Sequence, residues 1–260
     1  MTRQVEVIQS EQNQWLKRCK ALQQKKYRQQ YGEFVAEGLR FVEEALENKA
    51  ARVILLDEAQ RVFLEQLSTG DVPVYLVKEG LLAKALNTVN PQGIAAIAMQ
   101  KQWNWQDVAD MRQVVVIDGV QDPGNLGTIM RTALASDTEA MICLKGTVDL
   151  YNDKTLRSTM GAVFRLPVYH MDDAQAMRED LHRWGFQLAV ADIRAEQYYH
   201  QMHFPEKTAL EVSNEANGPQ LKTEGDIMVK IPLYQQAESL NVAVAAGILL
   251  YAVRTGRKEQ

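Results

Sequence analysis

Three short stretches carry the side chains best placed to form a ligand site, and each lies where a strand pattern runs into a loop. The first, VVVIDGVQDPGNLGTIMRTALA at 114–135, places Asn125 shortly before Arg131 on one helical stretch. The second, LEVSNEANGP at 210–219, ends a strand pattern at Asn214-Glu215 and turns at Asn217-Gly218. The third, IPLYQQAESLNVAV at 231–244, closes a strand at Ile231-Pro232 and offers Ser239 and Asn241 at the opening of a helix. Each has an ordinary structural use when taken alone. Asn125 and Ser239 suit helix N-caps, Arg131 an exposed helix charge, Glu215 a loop carboxylate, and Gly218 a turn needing positive φ. Taken in order, they set an amide, a guanidinium, a carboxylate and a hydroxyl at the ends of strands. Open α/β sheets gather their ligands there.

Several other chemistries are excluded. The four histidines (His170, His182, His200, His203) form no metal-binding spacing, so no metal site is expected. Cys19 and Cys143 cannot make a disulfide framework and are expected to stay reduced in a cytoplasmic protein. Neither a G-x-G-x-x-G fingerprint nor a P-loop is present. The chain has 260 residues, 46% of them apolar and 24% charged, which suits one large domain or two ordinary ones. The longest apolar run, 242–253, is too short to span a bilayer, and the first residues carry no apolar signal core. No membrane association is expected.

The elements that must position these residues alternate along the chain. In the first part the pattern predicts helices at 34–46, 59–67 and 80–86, and strands at 53–56, 72–77 and 93–99. Residues 1–100 form one expected domain, polar 101–112 with its two tryptophans a linker, and 113–260 a second domain. There the pattern predicts strands at 114–117, 141–144, 167–169, 186–191, 209–212 and 227–231. Helices are expected from Asn125, at 152–164, at 174–184, and at 239–254 with Ser239 as its cap. Such alternation argues for an α/β fold with a parallel sheet covered on both faces. The last helix is apolar nearly all the way round, so all of its faces need covering. A second copy of the chain is the preferred cover, and burial within the monomer the alternative.

The net charge of −4 hides a local asymmetry. Lys17, Arg18, Lys20, Lys25, Lys26 and Arg28 fall within 12–31, a stretch with no acid and with Trp15, Tyr27 and Tyr31 interleaved. Because surface fields decay within about 10 Å at ordinary salt, such a stripe can meet phosphates whatever the overall charge.

The ordered set N-x-G-x-x-x-R, N-E-x-x-G and I-P-L with S-L-N-V-A-V-A resembles the SpoU (TrmH-like) family of SPOUT RNA methyltransferases. The segment KTLRSTMGAVFRLPV at 154–168 is similar to the family's stretch between its first two motifs, and residues 14–46 match the character of its substrate-binding extension. The resemblance implies a C-terminal parallel-sheet domain with a trefoil knot, and a smaller N-terminal α/β RNA-binding domain of ribosomal-protein-like fold. It implies S-adenosylmethionine as cofactor, a homodimer joined through the C-terminal helix region, and methylation of a ribose 2′-hydroxyl. Ribosomal RNA is the favoured substrate. The alternatives are transfer RNA, or a non-catalytic RNA-binding protein that kept the fold.

By the same resemblance, Asn125, Arg131, Glu215, Ser239 and Asn241 form the catalytic set. Arg131 lies at the ribose and its phosphate. Ser213, Gly218, Ile231, Leu233 and Leu240 surround the cofactor, and the basic stripe meets RNA. An arginine is very hard to deprotonate, so Arg131 is expected to position the 2′-oxygen and stabilise its developing charge while a nearby phosphate takes the proton. The chain departs from the family at Ser213, where a glycine is usual. The added side chain stands where the backbone approaches the cofactor, and each hydrogen bond it displaces there costs about 1 kcal/mol.

Overall fold

A computed structural model describes residues 6–86, 91–214, 226–235 and 237–256. Glu215 and Gly218 lie outside the described residues. The chain divides into two compact units, 1–102 with 151–156, and 103–150 with 157–260.

The first unit contains β1 (Glu6–Ile8), α1 (Gln14–Leu22), α2 (Lys25–Tyr31), β2 (Glu33–Glu37), α3 (Leu39–Glu47), β3 (Ala51–Asp57), β4 (Val74–Val77), α4 (Leu81–Leu86) and β5 (Ile94–Met99). Its sheet has the order β1-β4-β3-β5-β2 and is mixed, since β5 runs antiparallel to both β3 and β2. Helices α1 and α4 bury Leu16, Cys19, Leu22, Leu82 and Leu86 against Val53, Leu55, Ala95 and Ile97. The helix predicted at 34–46 is divided. Phe34 pairs with Ala98 in a strand, and Gly38, at φ +100°, turns the chain into α3. That positive φ strains any residue with a side chain, which is why glycine suits this turn. The helix predicted at 59–67 is a 3-10 segment, Glu58–Glu65.

The second unit contains β6 (Gln113–Asp118), α5 (Pro123–Ala135), β7 (Ala140–Leu144), β8 (Val168–Met171), α7 (Ala174–Arg183), β9 (Gln187–Ala191), β10 (Gln197–Tyr198), β11 (Thr208–Ser213), β12 (Ile227–Lys230) and α8 (Val242–Gly256). Between β7 and β8 in sequence runs α6 (Asp153–Thr159), whose residues up to Leu156 belong to the first unit and which Met160 and Gly161 end in left-handed conformations before the full predicted span of 152–164 is reached. The sheet order is β10-β12-β9-β11-β6-β7-β8, and every pairing is parallel. Strands buried on both faces need continuous apolar runs, and β6 is buried along its whole length. Val114 and Val116 face the cluster that holds Met177 and Leu181 of α7, and alternation turns Val115 and Ile117 to the opposite face.

The stretch 101–112, expected as a linker, is folded from Trp103 onward. Trp103, Trp105 and Met111 pack on the core of the second unit, and Trp105 Nε1 donates to Asp180 Oδ2 at 2.8 Å. Its ring also meets Trp184 with centroids 5.1 Å apart. Two half-buried indoles packed on that core give this segment a reason to stay in place.

Under the sheet, Arg178 of α7 donates to Glu211 of β11 and to Asp226, just before β12. All three side chains are buried. Burial pushes the Glu211 carboxyl up to about 7. Arg178 opposes the rise, and the charges of Asp118 and Asp226 add to it. One guanidinium serves two acids, and Glu211 Oε1 is buried without a hydrogen-bond partner among the described residues. Between the ordinary value of 4.5 and about 7, the folded chain therefore holds a proton that the unfolded chain has released. Stability falls as pH rises through that window. At about 1.4 kcal/mol per unit, the loss amounts to at most about 3.5 kcal/mol. Urea denaturation of wild type and Glu211→Gln at pH 5 and pH 8 should show wild type losing stability relative to the variant at the higher pH. Parallel responses would mean that Glu211 is ionised throughout.

Candidate active site and nucleic-acid interface

The sheet order reverses between β6 and β11, whose ends lie level with Ser213 opposite Asp118. At such a switch point the loops leave in opposite directions and open a crevice. Helix α5 rises from this edge, but its cap is Asp122 rather than Asn125. The Asp122 carboxylate accepts the backbone N–H of Asn125 at 2.7 Å, and Pro123 begins the helix. The Asn125 side chain is thereby available for another contact. Its Oδ1 accepts from Asn241 Nδ2 at 2.9 Å, which joins the first and third motifs directly.

Asn241 also corrects the expected cap of the last helix. Its Oδ1 accepts the backbone N–H groups of Ala243 and Val244, so α8 begins at Val242 and Ser239 lies in the preceding loop. The helix is not covered all round. Val242, Ala246, Leu249, Leu250 and Val253 are buried, whereas Val244 is 52% and Tyr251 48% exposed. It packs beside α5, where Tyr251 donates to the carbonyl of Ala135 at 3.3 Å.

A cavity of about 350 Å³ opens at the carboxyl ends of β9, β11 and β12 and against the start of α8. Ser213, Ile231, Leu233 and Leu240, four of the five expected cofactor residues, line it, as does Ser239. Val212, Val229, Val242 and Leu249 supply apolar wall. Small-molecule sites have this character: apolar walls, a few placed polar groups, and a volume above about 300 Å³. Asp192, Arg194 and Lys230 also line the cavity and were missed in the sequence. The available signal for Asp192 was an acid directly after the strong strand pattern at 186–191. Arg131 does not line the cavity. It is exposed on α5, roughly 9 Å along the axis from Asn125 at 1.5 Å per residue.

The basic stripe of the first unit is reduced by the structure. Arg28 is buried, and its Nη1 donates to the carbonyls of Leu22 and Gln23 at 2.7 and 2.8 Å, closing the end of α1. It therefore holds the fold and is corrected as a candidate RNA contact. Arg18 lies 3.5 Å from the Tyr31 ring centroid and pairs with buried Glu33 at 3.2 Å. Lys17, Lys20, Lys25 and Lys26 are exposed. The thiols of Cys19 and Cys143 are buried and pushed up to about 12, chiefly by desolvation, which leaves no reactive thiolate at neutral pH.

Comparison with known proteins accounts for both units. The family model described as the SpoU rRNA Methylase family matches residues 112–251, and that of the MRM3-like substrate binding domain matches residues 13–96. The 23S rRNA (guanosine(2553)-2'-O)-methyltransferase RlmP of Bacillus subtilis is 38% identical, over 95% of this chain and 98% of its own length. An AdoMet-bound rRNA methyltransferase from Sinorhizobium meliloti superposes with a TM-score of 0.82 at 30% identity, covering 97% of this chain and 98% of that one. The SpoU methyltransferase AviRb from Streptomyces viridochromogenes, in complex with AdoMet, gives 0.78 at 26% identity, with coverage of 94% and 98%. With more than half its length matched by the family model and a relative of this identity over nearly the whole chain, the protein belongs to the SpoU rRNA methylase family.

Proposed function

We propose that this chain methylates a ribose 2′-hydroxyl of ribosomal RNA, using S-adenosylmethionine, in the cytoplasm. The observation that carries the reading is the cavity where three parallel strands end, lined by residues of the second and third motifs. Its apolar walls suit an adenine, and its polar rim suits a ribose and an amino acid. Ser213, Ile231, Leu233 and Leu240 would hold the cofactor there, and Gly218, outside the described residues, joins them by the family resemblance alone. When bound, S-adenosylmethionine supplies a methyl group on a positively charged sulfur. The convergence of the segments at 213–214, 231–233 and 239–240 on one cavity supports a trefoil-knotted C-terminal region of the family type.

The protein's own work is alignment and charge stabilisation. The Asn125–Asn241 hydrogen bond fixes the start of α5 against the start of α8. That bond sets the direction in which Arg131 leaves the helix. Arg131 holds the phosphate beside the target ribose and stabilises the oxygen as its proton leaves, and a neighbouring phosphate accepts that proton. Glu215, outside the described residues, belongs to the catalytic set by the family resemblance alone, and Ser239 supplies a hydroxyl at the cavity wall. Thr128, Arg131 and Ala135 are exposed along one edge of α5, beside the exposed Val244 and Tyr251 of α8. Their position supports a homodimer through this face, with Arg131 at the edge of the interface. The lysines of α1 and α2 meet the RNA backbone.

Three measurements test this reading. Calorimetric titration with S-adenosylmethionine should show one site per subunit in wild type and in Arg131→Ala, while methylation in the variant falls at least about a hundredfold. Absence of binding by folded wild type would favour a non-catalytic RNA-binding protein, with Ser213 in the glycine's place as its cause. Replacing Lys17, Lys20, Lys25 and Lys26 by Gln should weaken RNA binding and flatten its salt dependence by roughly 0.7–0.9 log units per phosphate contact removed. An unchanged salt slope would place the RNA contact elsewhere. Sedimentation of Val244→Lys should give a monomer without methylation activity, against a wild-type dimer. A wild-type monomer would reject the shared interface.

A further inference from the structure

Among the described residues lining the cavity, Asp192 is the only acid. It directly follows Ala191, the last residue of β9, and its side chain is 3% exposed. A buried carboxylate is costly without donors aimed at it, and here Arg194 supplies three. The Arg194 backbone N–H and Nε donate to Oδ1 at 2.8 and 3.0 Å, and Nη2 donates to Oδ2 at 2.9 Å. The arginine side chain is 68% exposed, so the pair has a wet end at Arg194 and a buried end at the cavity wall. The ion pair links two residues of one loop, two positions apart. A local turn needs an oxygen at this place, but it does not need a carboxylate held on both oxygens.

We infer that Asp192 binds the vicinal ribose hydroxyls of the cofactor's adenosyl group, an inference that rests on the cofactor reading above. The cofactor carries three features that suit an acceptor: a sulfonium, an α-ammonium and the ribose diol. Arg194 already neutralises the Asp192 charge, so a cation gains little beside it. Two neutral O–H donors gain most from acceptor oxygens that are fixed in direction. An acid just past the carboxyl end of a parallel strand has the same relation to a ribose in dinucleotide-binding sheets. Ile193, Leu233 and Val212 line the same cavity and offer apolar surface to the base.

The test uses the full-length protein, the substitution Asp192→Asn and three adenosyl probes. Asparagine keeps the oxygen that accepts the Arg194 backbone N–H, so the loop is preserved, and a thermal melt checks the fold. 5′-Methylthioadenosine retains the base and diol without the amino acid. Its 3′-deoxy counterpart lacks one hydroxyl, and S-adenosylhomocysteine restores the ammonium. Wild type should prefer methylthioadenosine over the deoxy compound by about tenfold or more, and Asp192→Asn should lose most of that preference. A merely structural role would weaken all three probes equally and leave the preference intact, which would overturn the assignment. Weakening of S-adenosylhomocysteine alone would also overturn it, by giving Asp192 to the ammonium. Binding of none of the probes by wild type would remove the cofactor reading together with this one, whereas the first two failures leave that reading standing.

Discussion

A single buried guanidinium sets the geometry on which the cavity depends. Arg178 holds Glu211, two residues before the end of β11, and Asp226, immediately before β12. The chain that leaves one strand and enters the other is therefore fixed at both ends by one side chain of α7. Breaking a buried pair by removing one partner typically costs about 3–5 kcal/mol, because an uncompensated charge remains. The pairing also guards register. A one-residue slip of β11 against β6 and β9 would turn Glu211 to the opposite face, away from Arg178, and put Val212 in its place. Ser213 keeps its position opposite Asp118 at the carboxyl edge under the same constraint.

At that edge the protein joins parts far apart in sequence by short polar ties while keeping the cavity wall apolar. The Asn241–Asn125 bond spans 116 positions of chain there, and at the opposite, amino end of β6 the Gln113 amide donates to the carbonyl of Leu250 at 3.2 Å. Small residues let α5 and α8 come close enough for these ties. Thr132 would stand only 3.5 Å from a Cβ placed on Gly247, an ordinary contact that a larger side chain would have to displace. The apolar character of α8 thus has two uses on different faces. Val242, Ala246, Leu249 and Val253 fill the unit's own interior, and Val244 and Tyr251 remain on its surface.

How much of this was legible in the sequence follows from which forces are local. Strands β6, β9 and β11 and helix α7 were readable because period and composition agree with the burial they receive. The stretch from Phe34 to Glu37 was not, because its apolar residues also fit a helical face. Pairing with β5, far along the chain, decides the outcome. Both cap errors have one origin. Asp122 and Asn125, like Ser239 and Asn241, are all good caps, so cap preference cannot rank them. Pro123 was the clue for Asp122, since proline favours the first helical position. The motif residues were found through the family resemblance, whereas Asp192 belonged to no motif and became visible only when the ends of β9, β11 and β12 were brought together.

The fate of the basic stripe shows why charge counts along a sequence overstate an interface. Six cations fall between Lys17 and Arg28, but a guanidinium carries five N–H donors that can satisfy its own backbone. Arg28 spends its donors on the carbonyls that α1 leaves open at its end, a task that any cation of sufficient reach in that position would be drawn to. Arg18 is held between Glu33 and the Tyr31 ring, which fixes its plane and offsets part of its charge. The exposed lysines carry the remaining field. Their ammonium groups are strongly hydrated point charges on flexible stems, suited to following a phosphate backbone and poorly suited to choosing a base. Under the proposed function, selection of one nucleotide would come from how a folded RNA presents its ribose, because lysine ammonium groups respond to phosphate spacing and shape rather than to bases.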